Sequence, residues 1–248
     1  MKRFFVFLGV VLATIGSAVR AQEVDSIAQL QKSSWGDAKT EETAEYIPEI
    51  SIHSRMGYEH DFLEQVGRFD GNGLYLGIDG KISPNFSYSF YHCIASSDSQ
   101  GLFGFDNTQW LTVSYENDWL NLTAGKNAVM VGSFEYDGYD IDSYYFMNSS
   151  FWNSFDCWQW GASASFYPDD DHELTIQVCN SPFSFGEPNL FAYALGWRGE
   201  MEWFESLWTA NMWQYDKGSY MKSMNFANRF DFDDFSFDLE YMTRATDI

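Results

Sequence analysis

Leu111-Thr112-Val113-Ser114-Tyr115-Glu116-Asn117-Asp118-Trp119-Leu120-Asn121-Leu122-Thr123-Ala124-Gly125-Lys126 is the stretch whose reading decides the fold. Leu111, Val113 and Tyr115 alternate with Thr112, Ser114 and Glu116. Past the turn residues Glu116-Asn117-Asp118, Leu120, Leu122 and Ala124 alternate with Asn121 and Thr123. A period of two puts the apolar side chains on one face of an extended strand and the polar ones on the other, so the stretch reads as a hairpin of two half-buried strands.

The same period runs outward in both directions. Toward the N-terminus, Ile50, Ile52, Met56 and Tyr58 alternate with His53, Arg55 and Glu59; Leu74, Leu76, Ile78 and Ile82 with Tyr75, Asp79 and Lys81; Phe86, Tyr88, Phe90 and Ile94 with Ser87, Ser89 and Cys93. Toward the C-terminus, Trp158, Trp160, Ala162, Ala164 and Phe166 alternate with Gln159, Ser163 and Ser165; Leu174, Ile176 and Val178 with Thr175 and Gln177; Phe191, Tyr193, Leu195 and Trp197 with Ala192, Ala194 and Arg198. Trp208, Ala210 and Met212 then alternate with Thr209 and Asn211, Phe226 and Phe230 flank Asn225 and Arg229, and Phe235, Phe237, Leu239 and Tyr241 alternate with Ser236, Asp238 and Glu240.

Short connections at Ser83–Asn85, Glu116–Asp118, Tyr167–His172 and Asp231–Asp234 are rich in Pro, Asn and Asp. They interleave with longer ones at Ala95–Asn107, Lys126–Asp156, Asn180–Asn189 and Tyr215–Tyr220. Short turns alternating with long loops are what an up-and-down barrel with periplasmic turns and extracellular loops requires, whereas a Greek-key sandwich has no need of that regularity. The expected fold is all-β: a transmembrane antiparallel up-and-down β-barrel with about 10–12 strands present.

The N-terminus sets the compartment. Lys2 and Arg3 precede an apolar run from Phe4 to Ile15, and Val19-Arg20-Ala21 is a variant of the small-residue cleavage pattern, so residues 1–21 read as a signal peptide. No Cys follows the cleavage point, which argues against a lipoprotein. Residues 22–49 are polar, acidic and without alternation, a periplasmic leader; 50–248 is the barrel domain. The expected location is the outer membrane.

Composition narrows the function. The net charge of −22 becomes −25 when Lys2, Arg3 and Arg20 leave with the signal, which disfavours nucleic acid as a partner. Aromatics at 19% rule out an acidic disordered chain and suit the lipid face and interface girdles of a barrel. Cys93, Cys157 and Cys179 form no zinc pattern and read as free thiols, with a Cys157–Cys179 bridge kept open. No cofactor is expected.

Three passages resemble the outer-membrane porins of Bacteroidota, of the phosphate-selective porin O/P-like family. Asp70-Gly71-Asn72-Gly73-Leu74-Tyr75-Leu76-Gly77-Ile78-Asp79-Gly80 looks like an early barrel strand of that group, and Leu120 to Lys126 like its strand ending in Gly-Lys before a long loop. Phe134-Glu135-Tyr136-Asp137 sits where the family folds a loop into the pore. The resemblance implies passive diffusion of small hydrophilic solutes or ions, with outer-membrane lipid as surroundings and a homotrimer as the common assembly. Family members line their pores with Arg and Lys, so phosphate selectivity does not carry over to this acidic chain. They also have more strands and a terminal aromatic residue, so about eleven strands ending at Thr243-Arg244-Ala245-Thr246-Asp247-Ile248 leave two readings open: a count off by one, or, the favoured one, the N-terminal part of a longer porin.

Pore chemistry rests on charges that project into the lumen. Those in the polar phase are Arg55, Glu59, Asp79, Lys81, Glu116, Arg198, Arg229, Asp238 and Glu240. Within the long loop, Glu135, Asp137, Asp140 and Asp142 would narrow the pore and favour cations or neutral solutes if the loop folds inward; the plainer reading is an extracellular loop with solvated acids. Asp169-Asp170-Asp171 lacks the spacing of a calcium loop and reads as a turn. Two other classes stay in view. An outer-membrane barrel enzyme, a protease or lipid-modifying one, would use His53 or His172 beside a carboxylate, though no G-x-S-x-G or H-E-x-x-H occurs. A secreted β-sandwich binding protein would show Trp on one flat exposed face rather than at lipid-phase positions such as Trp158, Trp160 and Trp197.

Overall fold

The computed structural model describes residues 46–63, 65–95, 105–134, 154–184, 187–232 and 235–246, the side chains of 55, 56, 59, 61 and 70–72 excepted. The signal peptide assigned to residues 1–21 and nearly all of the leader at 22–49 lie outside the described residues.

Eleven strands follow one another: β1 (Glu49–Asp61), β2 (Val66–Ser83), β3 (Phe86–Ala95), β4 (Thr108–Asn117), β5 (Leu120–Ala128), β6 (Trp158–Asp169), β7 (His172–Asn180), β8 (Phe191–Met201), β9 (Phe204–Asp216), β10 (Ser219–Phe232) and β11 (Phe235–Thr246). Each pairs antiparallel with its neighbours in sequence, giving one up-and-down sheet in the order β1 to β11. No pairing joins β1 to β11 among the described residues. Several strand bounds differ from expectation: β1 begins one residue inside the leader, and β2, β9 and β10 reach back to Val66, Phe204 and Ser219.

At one end of the sheet every connection between paired strands is two residues long: Pro84-Asn85, Asp118-Trp119, Asp170-Asp171, Glu202-Trp203 and positions 233–234. The second residue of each described turn offers its carbonyl to the next hairpin: Asn85 to the Glu116 amide, Trp119 to Tyr167, Asp171 to Glu200 and Trp203 to Asp231, at 2.8–3.0 Å. The Asn117 carboxamide oxygen accepts from the Trp119 and Leu120 amides, the local reason that turn is tight. At the other end the connections are unequal. The expected long connection at Tyr215–Tyr220 is in fact a two-residue turn, Lys217-Gly218, because Gly218 takes a φ of 80° that an L-side chain resists.

The stitched rim is staggered. One row of directly opposed residues runs Asp79, Ser89, Thr112, Gly125, Gly161, Cys179, Ala192, Trp213, Met221 across β2 to β10. On β2 this row lies four residues from the strand's end at Ser83; on β10 it lies eleven from the end at Phe232. A drift of seven residues over eight strand steps, at about 3.3 Å per residue and 4.8 Å per step, tilts the strands by about 30°. Barrel strands tilt by roughly 35–45°, so the stagger is close to that of a barrel wall.

The two faces have inverted polarity. The inner face buries Thr112, Asn121, Ser165, Thr175, Thr209, Asn211, Ser223 and Asn225, the last only 1% exposed. The outer face exposes Val113, Leu122, Ile176, Val178, Leu195, Met224, Leu239 and Tyr241, with Ile176 at 47% and Leu195 at 49%. Each such aliphatic side chain left in water forgoes on the order of 1 kcal/mol of burial. Patches this continuous mark a surface meant for an apolar neighbour.

Candidate functional site: the inner face and its strap

The inner face of β7 to β11 is covered by the chain itself. Leaving β5 at Ala128, residues 129–134 cross five strands as a strap. Gln177 on β7 clamps the start: its amide nitrogen donates to the Ala128 carbonyl at 2.9 Å, and its carboxamide oxygen accepts from the Met130 amide at 2.7 Å. Over β8, Met130 lies so close that a Cβ on Gly196 would meet its sulfur at 2.6 Å. On β9 the Thr209 hydroxyl donates to the Val131 carbonyl at 2.6 Å, and on β10 the Asn225 side-chain amide donates to the Gly132 carbonyl. On β11 the Glu240 carboxylate accepts from the Ser133 hydroxyl at 2.8 Å and from the Phe134 amide at 2.6 Å. Thus polar inner positions on β7, β9, β10 and β11 each satisfy the strap's backbone, while its own Val129, Val131 and Phe134 side chains are buried.

Gly132 makes the crossing feasible. Its φ is 77°, and a Cβ there would meet the Thr209 Cγ2 at 2.2 Å. Val129 and Val131 join Cys179, Ala192, Trp213 and Met221 in an apolar cluster, against which Phe155, Cys157 and Phe183 pack. The Val129 amide donates to the Cys157 carbonyl at 2.8 Å, tying the two ends of the long connection together.

The solvated-loop reading of Lys126–Asp156 is therefore corrected for its first third. Residues 129–134 lie against the inner face, held by hydrogen bonds to four side chains, Gln177, Thr209, Asn225 and Glu240, because an apolar Val-Met-Val run has a better environment there than in water. Glu135, Asp137, Asp140 and Asp142 lie outside the described residues.

Toward the two-residue turns the inner face carries an ion network. Arg229 makes a two-point contact with Asp238, at 2.8 Å from Nε and 3.0 Å from a terminal nitrogen, and its other nitrogen lies 3.8 Å from Glu205. Glu205 also pairs with Arg198, which lies 3.6 Å from Glu200. The Arg229 guanidinium sits 4.3 Å above the Phe134 ring, so network and strap share one residue. Of the charges read from the sequence, Arg198, Arg229, Asp238 and Glu240 come together here. Glu205 is not among those charges, although the same alternation, carried from Thr209 through Leu207, reaches it at the start of β9. Buried Glu173 is not among them either; its carboxylate accepts from the Thr175 hydroxyl, itself 2.7 Å from that of Ser165.

The other predicted charges stand apart. Asp79 accepts from the Ser89 hydroxyl, which accepts from the Trp110 indole at 2.7 Å. Lys81 is exposed at the short-turn end of β2, and Glu116 is half-buried at that of β4. Arg55 and Glu59 stand on β1, but their side chains lie outside the described residues. Around Asp79 the wall is aromatic: Tyr75, Tyr91 and Trp110 stack with centroids 5.3 and 4.3 Å apart, and His53 meets Tyr91 edge-on at 5.7 Å.

His172 does lie beside a carboxylate, 2.6 Å from Asp169, but within one exposed turn where the pair caps β6 and β7. Among the described residues no group of three or more His, Cys, Asp or Glu is placed to hold a metal ion, the Asp169–Asp171 turn included. All three cysteines are free. Burial, then the neighbouring Asp156, pushes the Cys157 thiol up to about 12.

No family model, curated protein or solved structure matches this chain.

Proposed function

We propose that this chain forms the wall of an outer-membrane β-barrel porin, which lets small hydrophilic solutes or ions diffuse passively along its inner face. One observation carries the reading: an up-and-down sheet whose apolar side chains face out and whose polar side chains are turned in, with a strap of its own long connection fastened across the interior. A soluble sandwich has the opposite polarity, and so does a carbohydrate-binding sheet with a few flat Trp.

Lipid accounts for the outer face on energetic grounds. The outward positions of β10 from Met224 to Phe232 span nine residues, which at a tilt of about 30° cover roughly 25 Å, the height of a barrel's apolar band. Trp203, Phe232 and Phe235, all exposed, ring the turn end where an aromatic girdle belongs. In hydrocarbon the edges β1 and β11 each require a hydrogen-bonding partner. Both strands run in the same direction, so joining them directly is a parallel pairing of the kind an odd-stranded barrel makes.

The strap, residues 129–134, narrows the pore on the β7–β11 side. Solutes pass along the β2–β6 side, lined by Asp79, Ser87, Ser89, Ser114, Thr123 and Ser163. Export through residues 1–21 and kinship with the Bacteroidota porins belong to the same proposal. Two measurements test it. Folded protein in detergent should shift mobility on heating in denaturing gels, and its insertion into a planar bilayer should give discrete conductance steps. Recovery as a water-soluble monomer, or insertion without conductance, overturns the reading.

A further inference from the structure

One register line of the inner face carries hydroxyls on four successive strands. Ser87 on β3 stands directly opposite Ser114 on β4, Ser114 opposite Thr123 on β5, and Thr123 opposite Ser163 on β6. The line runs on to Gln177, which clamps the strap, so it lies where the strap narrows the pore. All four hydroxyl residues are half-buried, unlike the buried Thr209 and Asn225 that hold the strap. At about 4.8 Å per strand the four span roughly 14 Å. Thr123 donates to the Asn121 carboxamide oxygen at 3.0 Å, so in its 2.8 Å contact with Ser114 the Ser114 hydroxyl is the donor. Ser114 keeps its acceptor lone pairs, and the Ser87 and Ser163 hydroxyls bond to nothing among the described residues. The line thus offers donors at its ends and acceptors between them. Its neighbours toward the loops and turns include Ser89, Thr112, Asn121 and Ser165, all uncharged. Of the charges that flank it, Asp79 is held by Ser89, while Lys81, opposite Ser87, and Glu116, two residues beyond Ser114, are of opposite sign and act on each other.

We propose that the solutes this chain passes are uncharged polyhydroxy compounds, sugars of one or two rings, hydrogen-bonded in transit to Ser87, Ser114, Thr123 and Ser163. This names the solute class of the porin reading and rests on that reading. An ion would give up its water for a stretch of wall that offers no net counter-charge. A sugar exchanges its hydrogen bonds to water for those of the row, one hydroxyl for one. Four hydroxyls in one line favour a solute that carries several, because a solute with a single polar group engages only one of them.

Planar-bilayer recordings of the full chain in potassium chloride test this with maltose and with poly(ethylene glycol) of the same hydrodynamic size, which carries ether oxygens in place of hydroxyls. Maltose should lower the single-channel current saturably, at a half-block concentration about tenfold below that of the polymer. Ser163→Ala and Ser87→Ala should each raise the maltose value by about fivefold, the loss of one neutral hydrogen bond, in protein that keeps its heat-shifted gel mobility. Ser163→Thr retains the hydroxyl and should keep the tight block, and Ser223→Ala, on the same line beyond the strap, should leave it at the wild-type value. Charge should bring no advantage, so glucosamine and gluconate should block no better than glucose. Maltose blocking no better than the polymer, block unmoved in both alanine variants, or a charged analogue blocking more tightly than glucose overturns the proposal and leaves the pore standing. Insertion without conductance sinks pore and proposal together.

Discussion

Replacing Gly132 with alanine should unseat the strap while leaving the sheet folded. At a φ of 77° an alanine costs about 1–2 kcal/mol that glycine does not. Its Cβ would also fall 2.2 Å from Thr209 Cγ2 and 2.5 Å from the hydroxyl oxygen, closer than any stable contact. The strap must therefore back away from β9 and β10, which breaks the bonds from Thr209 to the Val131 carbonyl and from Asn225 to the Gly132 carbonyl, at about 1 kcal/mol each. The total of about 3–4 kcal/mol lowers the docked-to-undocked ratio by more than about a hundredfold. Hydrogen exchange reads this directly, because the Met130 and Phe134 amides are bonded to Gln177 and Glu240 only while the strap is seated. Both should exchange about a hundredfold faster, with amides in the β8–β9 ladder unchanged, and conductance should rise. Thr209→Ala in the same chain removes the two nearest clashing atoms and should restore part of the protection. Exchange at Met130 and Phe134 within about threefold of wild type, in a folded protein, would refute the reasoning.

Glu240→Gln weakens only the far end of the strap: Phe134 exchange should quicken by about tenfold as a charged acceptor is lost, while Met130, held by Gln177, stays protected. Arg229→Met strands Asp238 on the inner face, while Glu205 keeps Arg198, and should destabilise the fold by about 3 kcal/mol in urea titrations. The Arg229→Met/Asp238→Asn pair should lose less than the two single changes added together. With its thiol pushed up to about 12, Cys157 should react with iodoacetamide at pH 8 about three orders of magnitude more slowly than an exposed cysteine; rapid labelling of the folded protein would contradict its burial against the strap.

Read alone, the sequence determines most of the wall. Alternation places Thr175 and Gln177 on one face and Leu174, Ile176 and Val178 on the other without any knowledge of partners, since a strand's period of two is a local property. Turn chemistry likewise separates most hairpins, and fails at Tyr215–Tyr220, where a single glycine suffices for a two-residue reversal. Which face is covered is not local: alternation is the same for a sandwich and for a lipid-facing wall, and only the assembled sheet, with the strap laid over one face, buries Asn225 and leaves Leu195 exposed. The strap is the plainest case. Gln177, Thr209, Asn225 and Glu240 are separated by tens of residues and look like ordinary pore-lining side chains in sequence. Register brings one from each of four strands into line, and that line is where Met130 to Phe134 finds its hydrogen bonds. Local spacing encodes faces and turns, but partners across the sheet are fixed by pairing, which no stretch of chain carries by itself.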